Sequence, residues 1–474
     1  MIPATVREAR RQFGDRAAYV DEAGHALTYV ALDRRSDEVA AGMRRAGIGE
    51  GDVVALVLPP GLDYVIAYAA AAKIGAITAG VNERLTVAER SRVLETATPA
   101  LVLEHSDEVS SLRGDREQAP SLPDDPDRPV AIVFTSGTTG APKGALFTNR
   151  QLAFVTRTDV GDAWGGGSAS IGGTAFAHLG FMTKLPGNLR RGGTTFILRR
   201  WRAADALDLV ERERMNVVAG VPSQLALMLR APEFERTDLS SVRALVVGGA
   251  PLPPDLAAEA RVRFDAALAT RYSCTEAGLG LGTDFGDPEE DAVLSVGRPL
   301  PGIELALLDD RDAPVPSGEV GAVCLRSPAV MREYWRDPGS TAAAFTRDGF
   351  VRTGDLGWLD DRGRLRLVGR SKERYVRGGY NVYPMEVEQT LVEHPAVDQI
   401  AIVPRNDAVM GEIGVAVVVP AHPDQPPTLD ALRGFGADRL AAHKLPEAIE
   451  IVTELPLTPM DKVDRRALAA RVGA

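Results

Sequence analysis

Cysteine is nearly absent from this chain of 474 residues, which holds only Cys274 and Cys324. Two thiols cannot build a disulfide framework, and neither sits in a metal-ligand spacing, so a reducing, cytoplasmic compartment is expected. Long hydrophobic runs are missing too. The longest, residues 64–81, is broken by Lys73, Gly75 and Gly80, and reads as a buried helix passing into a strand rather than a membrane span. The opening MIPATVREARRQFGD has no apolar core, so no signal peptide is expected. Basic charge is in deficit: 54 Lys and Arg stand against 65 Asp and Glu, and the net charge of −11 excludes a general nucleic-acid surface. Lysine is the scarcest of the charged residues, at positions 73, 143, 184, 372, 444 and 462 only. A lysine kept against such a push towards arginine marks a place that needs a compact ammonium, although for Lys73 and Lys184 simple drift is the favoured reading.

What is present describes a globular protein, with 45% hydrophobic and 25% charged residues. The length implies two or more folding units. Residues 27–47 read as a helix with Leu32, Val39, Ala40 and Met43 on its apolar face, and 51–58 as a strand. Further strand patterns at 100–103, 130–134, 194–198, 217–221 and 242–247 alternate with helical ones, which implies layered α/β sheets. The glycine-rich stretch 161–173 is expected to be mobile. From about Gly302 short strands and Gly/Asp turns predict a β-rich subdomain. After Arg370 a smaller α+β pattern begins, with a helix over 384–393 and strands over 397–403 and 414–419.

The most informative segment is FTSGTTGAPKGA, residues 134–145. Gly137, Gly140 and Gly144 allow a tight turn that aims backbone N–H groups at an anion. Thr135, Ser136, Thr138 and Thr139 add hydroxyl donors, and Lys143 adds charge. The spacing is not that of the common nucleotide loop, because Lys143 is preceded by Pro142 and followed by Gly144. The plain alternative is a surface turn; the density of donors directly after a strand favours a phosphate cradle.

This run resembles the signature loop of the adenylate-forming superfamily, which includes AMP-forming acyl-CoA synthetases, nonribosomal peptide adenylation domains and firefly-type luciferases. The resemblance implies a loop around the β- and γ-phosphates of ATP, and it extends in order along nearly the whole chain. RYSCTEAG, 271–278, is similar to the family segment in which an aromatic stacks on adenine and a glutamate holds Mg2+, roles that fall to Tyr272 and Glu276 with Thr275 beside them. In VVGGAPLP, Gly249, Ala250 and Pro251 match the lining of the adenine pocket. Asp355 in RTGDLG matches the ribose clamp, Arg370 the ribose and phosphate contact, and Lys372 the hinge. Gly378 and Gly379 match a tunnel for a pantetheine thiol. LPLTPMDKVDRRAL, 455–468, carries the adenylation lysine, Lys462. His178 matches a histidine near the acyl group, though a lone histidine also reads as structural. Phe176, Leu179, Phe181, Met182, Ser273 and Cys274 are candidate acyl-pocket walls. Activators of α-amino acids place an aspartate where Ala177 stands, so a non-amino acyl group is favoured. Ser273, Glu373, Tyr380, Glu333 and Asp461 depart from the family's usual residues, and Asp461 sets a carboxylate beside Lys462.

The resemblance therefore implies an α/β protein with a large multi-sheet N-terminal domain, residues 1–369, built of layered α/β sheets plus the β-rich subdomain. A hinge at 370–372 and a small mobile α+β C-terminal domain, 373–474, follow. The implied reaction activates a carboxylic acid with ATP and Mg2+ and passes the acyl group to coenzyme A. Loading of a carrier protein is the alternative acceptor, and an oxygenase of luciferase type is a rarer outcome. A silent nucleotide-binding protein is disfavoured because Lys462, Glu276, Asp355 and Arg370 are all retained.

Overall fold

The computed structural model describes residues 1–114, 122–135, 142–458 and 463–473. A six-stranded sheet runs in the order Glu333–Tyr334, Gly144–Thr148, Pro129–Phe134, Ile77–Gly80, Val53–Leu56, Leu101–Leu103. Its last four strands are mutually parallel, and the pairs at the Gly144–Thr148 end are antiparallel. Val53–Leu56 and Ile77–Gly80 are buried at every position, as expected of a parallel sheet covered on both faces. Alternate residues serve different cores: Val54 and Leu56 join the large cluster that includes helix Leu62–Lys73, whereas Val53 and Ala55 meet Val93 and Ala97 of helix Val87–Ala97.

A second sheet, Val217–Gly220, Ala244–Gly248, Ala267–Tyr272, Leu281–Gly282, Arg298–Pro299, is parallel across its first three strands and has a core of its own. The β-rich subdomain is an antiparallel sheet of Glu304–Leu308, Gly321–Arg326, Val351–Leu359 and Leu365–Arg370. A smaller sheet joins Ala17–Val20 and Ala26–Thr28 to Thr195–Ile197 and Ser170–Gly172. The last of these strands lies in the glycine-rich stretch, where Gly165 and Gly167 also donate to the carbonyls of Arg190 and Arg191 at 2.9 Å each. From Tyr375 onwards the chain forms a separate five-stranded sheet with helices Pro384–Leu391, Leu429–Gly436 and Arg465–Val472. Among the described residues its two hydrophobic clusters draw only on residues beyond 374, and no hydrophobic cluster spans the 370–372 segment.

Two sequence expectations need correcting. The helix expected over 27–47 is Tyr29–Arg45, because residues 26–28 pair as a strand and Thr28 caps the helix, its hydroxyl accepting from the Ala31 N–H at 3.0 Å. Lys73 is not drift. Its ammonium, fully buried, donates to the Asp33 carbonyl at 2.8 Å, to Asp33 Oδ1 at 2.7 Å and to Asp37 Oδ1 at 2.7 Å. Three converging oxygens match the three donors of an ammonium and would not match a planar guanidinium. Burial alone would raise the Asp33 carboxyl, yet Lys73 and Arg10 hold it below its ordinary value.

Lys73→Met should lower the unfolding free energy by about 3–5 kcal/mol, because it leaves buried carboxylates without their cation, and Lys73→Arg should not restore it. Urea denaturation at pH 7 measures both. Since the folded state depresses the Asp33 value, this stabilisation is present above the ordinary carboxyl value of 3.8 and is lost as pH falls through the lower folded value. The Met variant should therefore lose less stability on acidification than the parent.

Candidate active site

Residues from three of the sheets meet at one site. Tyr272 ends strand Ala267–Tyr272, and its hydroxyl donates to Asp355 Oδ2 at 2.7 Å. Asp355 is buried in strand Val351–Leu359 and lies opposite Arg370 across the antiparallel ladder, where Arg370 Nε meets Asp355 Oδ1 at 3.0 Å. Both carboxylate oxygens are thus oriented by neighbours. The Asp355 N–H donates to Thr353 Oγ1 at 3.1 Å, and that hydroxyl donates to the Val323 carbonyl at 2.8 Å, which fixes the backbone beneath. Burial first, then the Asp355 charge, pushes the Tyr272 phenol well up, so it stays a neutral donor. The arrangement sets a half-buried aromatic face beside a carboxylate held for hydroxyl recognition.

Beyond Tyr272 the chain turns sharply, with the Ala277 and Gly278 N–H groups donating to the Cys274 carbonyl at 3.2 and 3.3 Å. Gly278 has φ +70°, and a Cβ there would lie 2.3 Å from the Ala329 carbonyl oxygen, so the turn excludes a side chain. This closeness docks the Thr275–Glu276 pair onto segment 329–335. The Met331 N–H donates to the Glu276 carbonyl at 2.8 Å, and the Tyr334 hydroxyl donates to Glu276 Oε1 at 2.6 Å. Across the Tyr334 ring, 5.1 Å from its centroid, stands Lys143 Nζ. The mouth of the phosphate loop is closed by the Thr135 N–H donating to the Lys143 carbonyl at 2.9 Å. Ser136, Gly137, Thr138, Thr139 and Gly140 lie outside the described residues, as do Asp461 and Lys462.

Gly248 pairs with Arg271, and its missing Cβ would lie 2.4 Å from the Arg271 carbonyl oxygen. Gly249, with φ +84°, Ala250 and Pro251 follow exposed, one step beyond that pairing and so alongside Tyr272. His178 starts the short helix Leu179–Met182, and its Nε2 lies 3.1 Å from Asn82 Nδ2. Asn82 Oδ1 already accepts the Arg84 N–H at 3.0 Å, which leaves the amide nitrogen to donate and makes His178 Nε2 the acceptor. Phe176 stacks on Phe181 with centroids 3.9 Å apart, and Tyr64 packs edge-on against both. Fully buried Met182 receives the Tyr64 hydroxyl at sulfur and the Tyr68 hydroxyl at its carbonyl. Of the candidate acyl walls, Phe176, Phe181 and Met182 therefore belong to the core, while His178, Leu179, Ser273 and Cys274 keep partial exposure. The Cys274 thiol is pushed up by burial, then by Glu276 and Asp355, and remains protonated.

Lys372, Gly378 and Gly379 are exposed, the two glycines at φ +53° and +88°. Among the departures, Glu373 pairs with Arg465 at 3.3 Å, Tyr380 stacks on His443 with centroids 4.5 Å apart, and Glu333 pairs with Leu146 in the sheet edge. One two-pronged ion pair, Arg230 with Asp398, bridges the large unit and the C-terminal one. Sequence reasoning missed Tyr334 and Asn82. Tyr334 sits beside the noted Glu333, and Asn82 is the first polar residue past a buried strand, the place where open α/β sheets put ligand contacts. Among the described residues no group of three or more His, Cys, Asp or Glu could hold a metal by itself. Glu276 beside Lys143 fits instead a Mg2+ bound mainly by phosphate oxygens and one carboxylate.

Comparison with known proteins gives a family. The model of the AMP-binding enzyme family matches residues 6–335, and that of the AMP-binding enzyme C-terminal domain matches residues 386–462. A feruloyl-CoA synthase from Amycolatopsis sp is 33% identical over 491 residues, covering 99% of this chain and 98% of the relative. The fatty acid–[acyl-carrier-protein] ligase ScoC of Streptomyces coeruleorubidus is 31% identical, with 94% and 92% covered. ATP-bound MatB from Rhodopseudomonas palustris superposes with a TM-score of 0.88 at 26% identity, with 99% of each chain covered. The chain belongs to the adenylate-forming superfamily of AMP-binding enzymes.

Proposed function

We propose that the protein is an AMP-forming acid–CoA ligase acting on a non-amino carboxylic acid. The observation that carries this reading is that residues 272–276 hold both an aromatic tied to a clamped carboxylate, Tyr272 with Asp355, and a second carboxylate, Glu276, that shares Tyr334 with Lys143. One end suits a nucleoside and the other a metal-bound polyphosphate. In the first half-reaction a carboxylate oxygen of the acid attacks the α-phosphorus of ATP, the bond to the bridging oxygen breaks, and pyrophosphate leaves with that electron pair. Tyr272 and Asp355 place the nucleoside, Arg370 beside Asp355 serves the ribose and phosphate, Lys143 holds the departing pyrophosphate, and Glu276 would hold a Mg2+ ion, which would supply charge to offset that of the pyrophosphate. Lys462 donates to the carboxylate and the α-phosphate as negative charge gathers there, a contribution on the order of 3 kcal/mol.

In the second half-reaction a thiol sulfur attacks the acyl carbon of the mixed anhydride and AMP leaves. We assign residues 1–369 to the nucleotide-binding domain, 370–372 to the hinge and 373–474 to a domain that turns between the two steps, bringing first Lys462 and then Gly378 and Gly379 to the site. Free coenzyme A is the favoured acceptor, since a relative of the feruloyl-CoA synthase type is similar over 98% of its length. The likeness to ScoC keeps a carrier protein as the second reading. Ala177 in place of an acidic residue supports a neutral acyl group.

Lys462→Ala should lower acid-dependent pyrophosphate release by about two to three decades while sparing thioester formation from supplied acyl-adenylate; equal loss of both would refute its role. Gly379→Trp should do the reverse, as a side chain there obstructs the thiol's approach. A folded Gly379→Trp protein that has lost adenylation would refute the tunnel. Incubating aryl, fatty and alicyclic acids with coenzyme A or a holo carrier protein, followed by mass spectrometry, should give the CoA thioester; acylated carrier protein alone would reverse the acceptor assignment.

A further inference from the structure

We infer that Tyr334 is a positioning residue for the polyphosphate end of the site, a strut that holds Glu276 and Lys143 at a fixed separation. The inference rests on the roles proposed above for those two residues. Three independent observations converge on it. The hydroxyl donates to Glu276 Oε1 at 2.6 Å, which orients the carboxylate. The ring presents its face to Lys143 Nζ at 5.1 Å, within the range of cation–π attraction. The backbone of Tyr334 pairs with Ala145, two residues after Lys143, and the neighbouring Trp335 N–H donates to the Gly144 carbonyl at 2.7 Å. One residue is thus anchored to the strand that leaves the phosphate loop and reaches with its side chain to the loop that follows Tyr272.

The physical need for such a strut is plain. A lysine and a glutamate held against one tyrosine attract, and a direct ion pair would occupy the space and the charges that the phosphates and the metal require. Tyr334 gives the Lys143 ammonium a π face and the Glu276 carboxylate a hydroxyl, and so each has a partner on the same side chain. Tyr334 is buried, 7% exposed, and its N–H donates to Thr341 Oγ1 at 2.9 Å, so the strut is held at its base. Burial, then the Glu276 charge, pushes the phenol upward, which keeps it a donor.

The test separates nucleotide binding from metal-polyphosphate binding. Isothermal titration without acid substrate should give unchanged AMP affinity for Tyr334→Phe, because AMP lacks the β- and γ-phosphates. Mg-ATP affinity should fall about ten- to a hundredfold, the range expected for losing one charge-assisted hydrogen bond, and half-maximal pyrophosphate release should need more Mg2+. Tyr334→Leu, which also removes the ring, should weaken Mg-ATP binding further. Equal effects on AMP and Mg-ATP, or no effect on either, would overturn the inference. If Tyr334→Phe is poorly folded, a double-mutant cycle decides: Glu276→Gln with Tyr334→Phe should bind Mg-ATP no worse than Glu276→Gln alone, and additive losses would overturn it. A parent protein that bound AMP but not Mg-ATP would refute the proposed function itself and is distinguishable from either result.

Discussion

The hydrogen bond from Tyr272 to Asp355 is the joint on which the site depends. It links a strand of the second, largely parallel sheet to a strand of the antiparallel subdomain, elements 83 residues apart in sequence. At this joint the second sheet supplies the aromatic face and the antiparallel subdomain the carboxylate. Arg370 closes the same joint from the neighbouring strand and stands at the start of the segment leading to the C-terminal unit. The proposed nucleoside contact and the segment leading to the C-terminal unit therefore share one carboxylate.

Scarcity of lysine turns out to carry structural information as well as chemical. Lys73 fills a buried pocket with three oxygens at ammonium geometry, Lys184 pairs with Asp159 at 2.8 Å, and Lys444 pairs with Glu386 within the C-terminal unit. Arginine, by contrast, is spent where a fork suits it. Arg465 meets the Glu388 carboxylate with two of its nitrogens, NH1 and NH2, at 2.7 Å each, and Arg364 bridges Asp291 and Asp360 between the second sheet and the antiparallel subdomain. Sites that converge on a point kept lysine, and sites that present an edge took arginine.

Much of the architecture was legible because local patterns agree with it: unbroken apolar quartets such as Val53–Leu56 read as covered parallel strands, and ordered motifs fixed which strand ends meet. What could not be read was any contact between segments distant in sequence. Tyr334 looks like a sheet-edge aromatic until the loop after Tyr272 is folded against it, and Asn82 is an ordinary turn residue until His178 is brought 3.1 Å away. The same limit explains Phe176, Phe181 and Met182. Their apolar character suits a pocket wall and a core equally well, and only packing against Tyr64 and Tyr68 separates the two.

Among the described residues no hydrophobic cluster crosses the 370–372 segment, while the Arg230–Asp398 pair does cross between the units. Arg230 is 56% exposed, and surface charge attraction is screened over about 8 Å at physiological ionic strength. Added electrolyte therefore weakens this contact between the two units, while the hydrophobic clusters inside each unit are untouched by such screening.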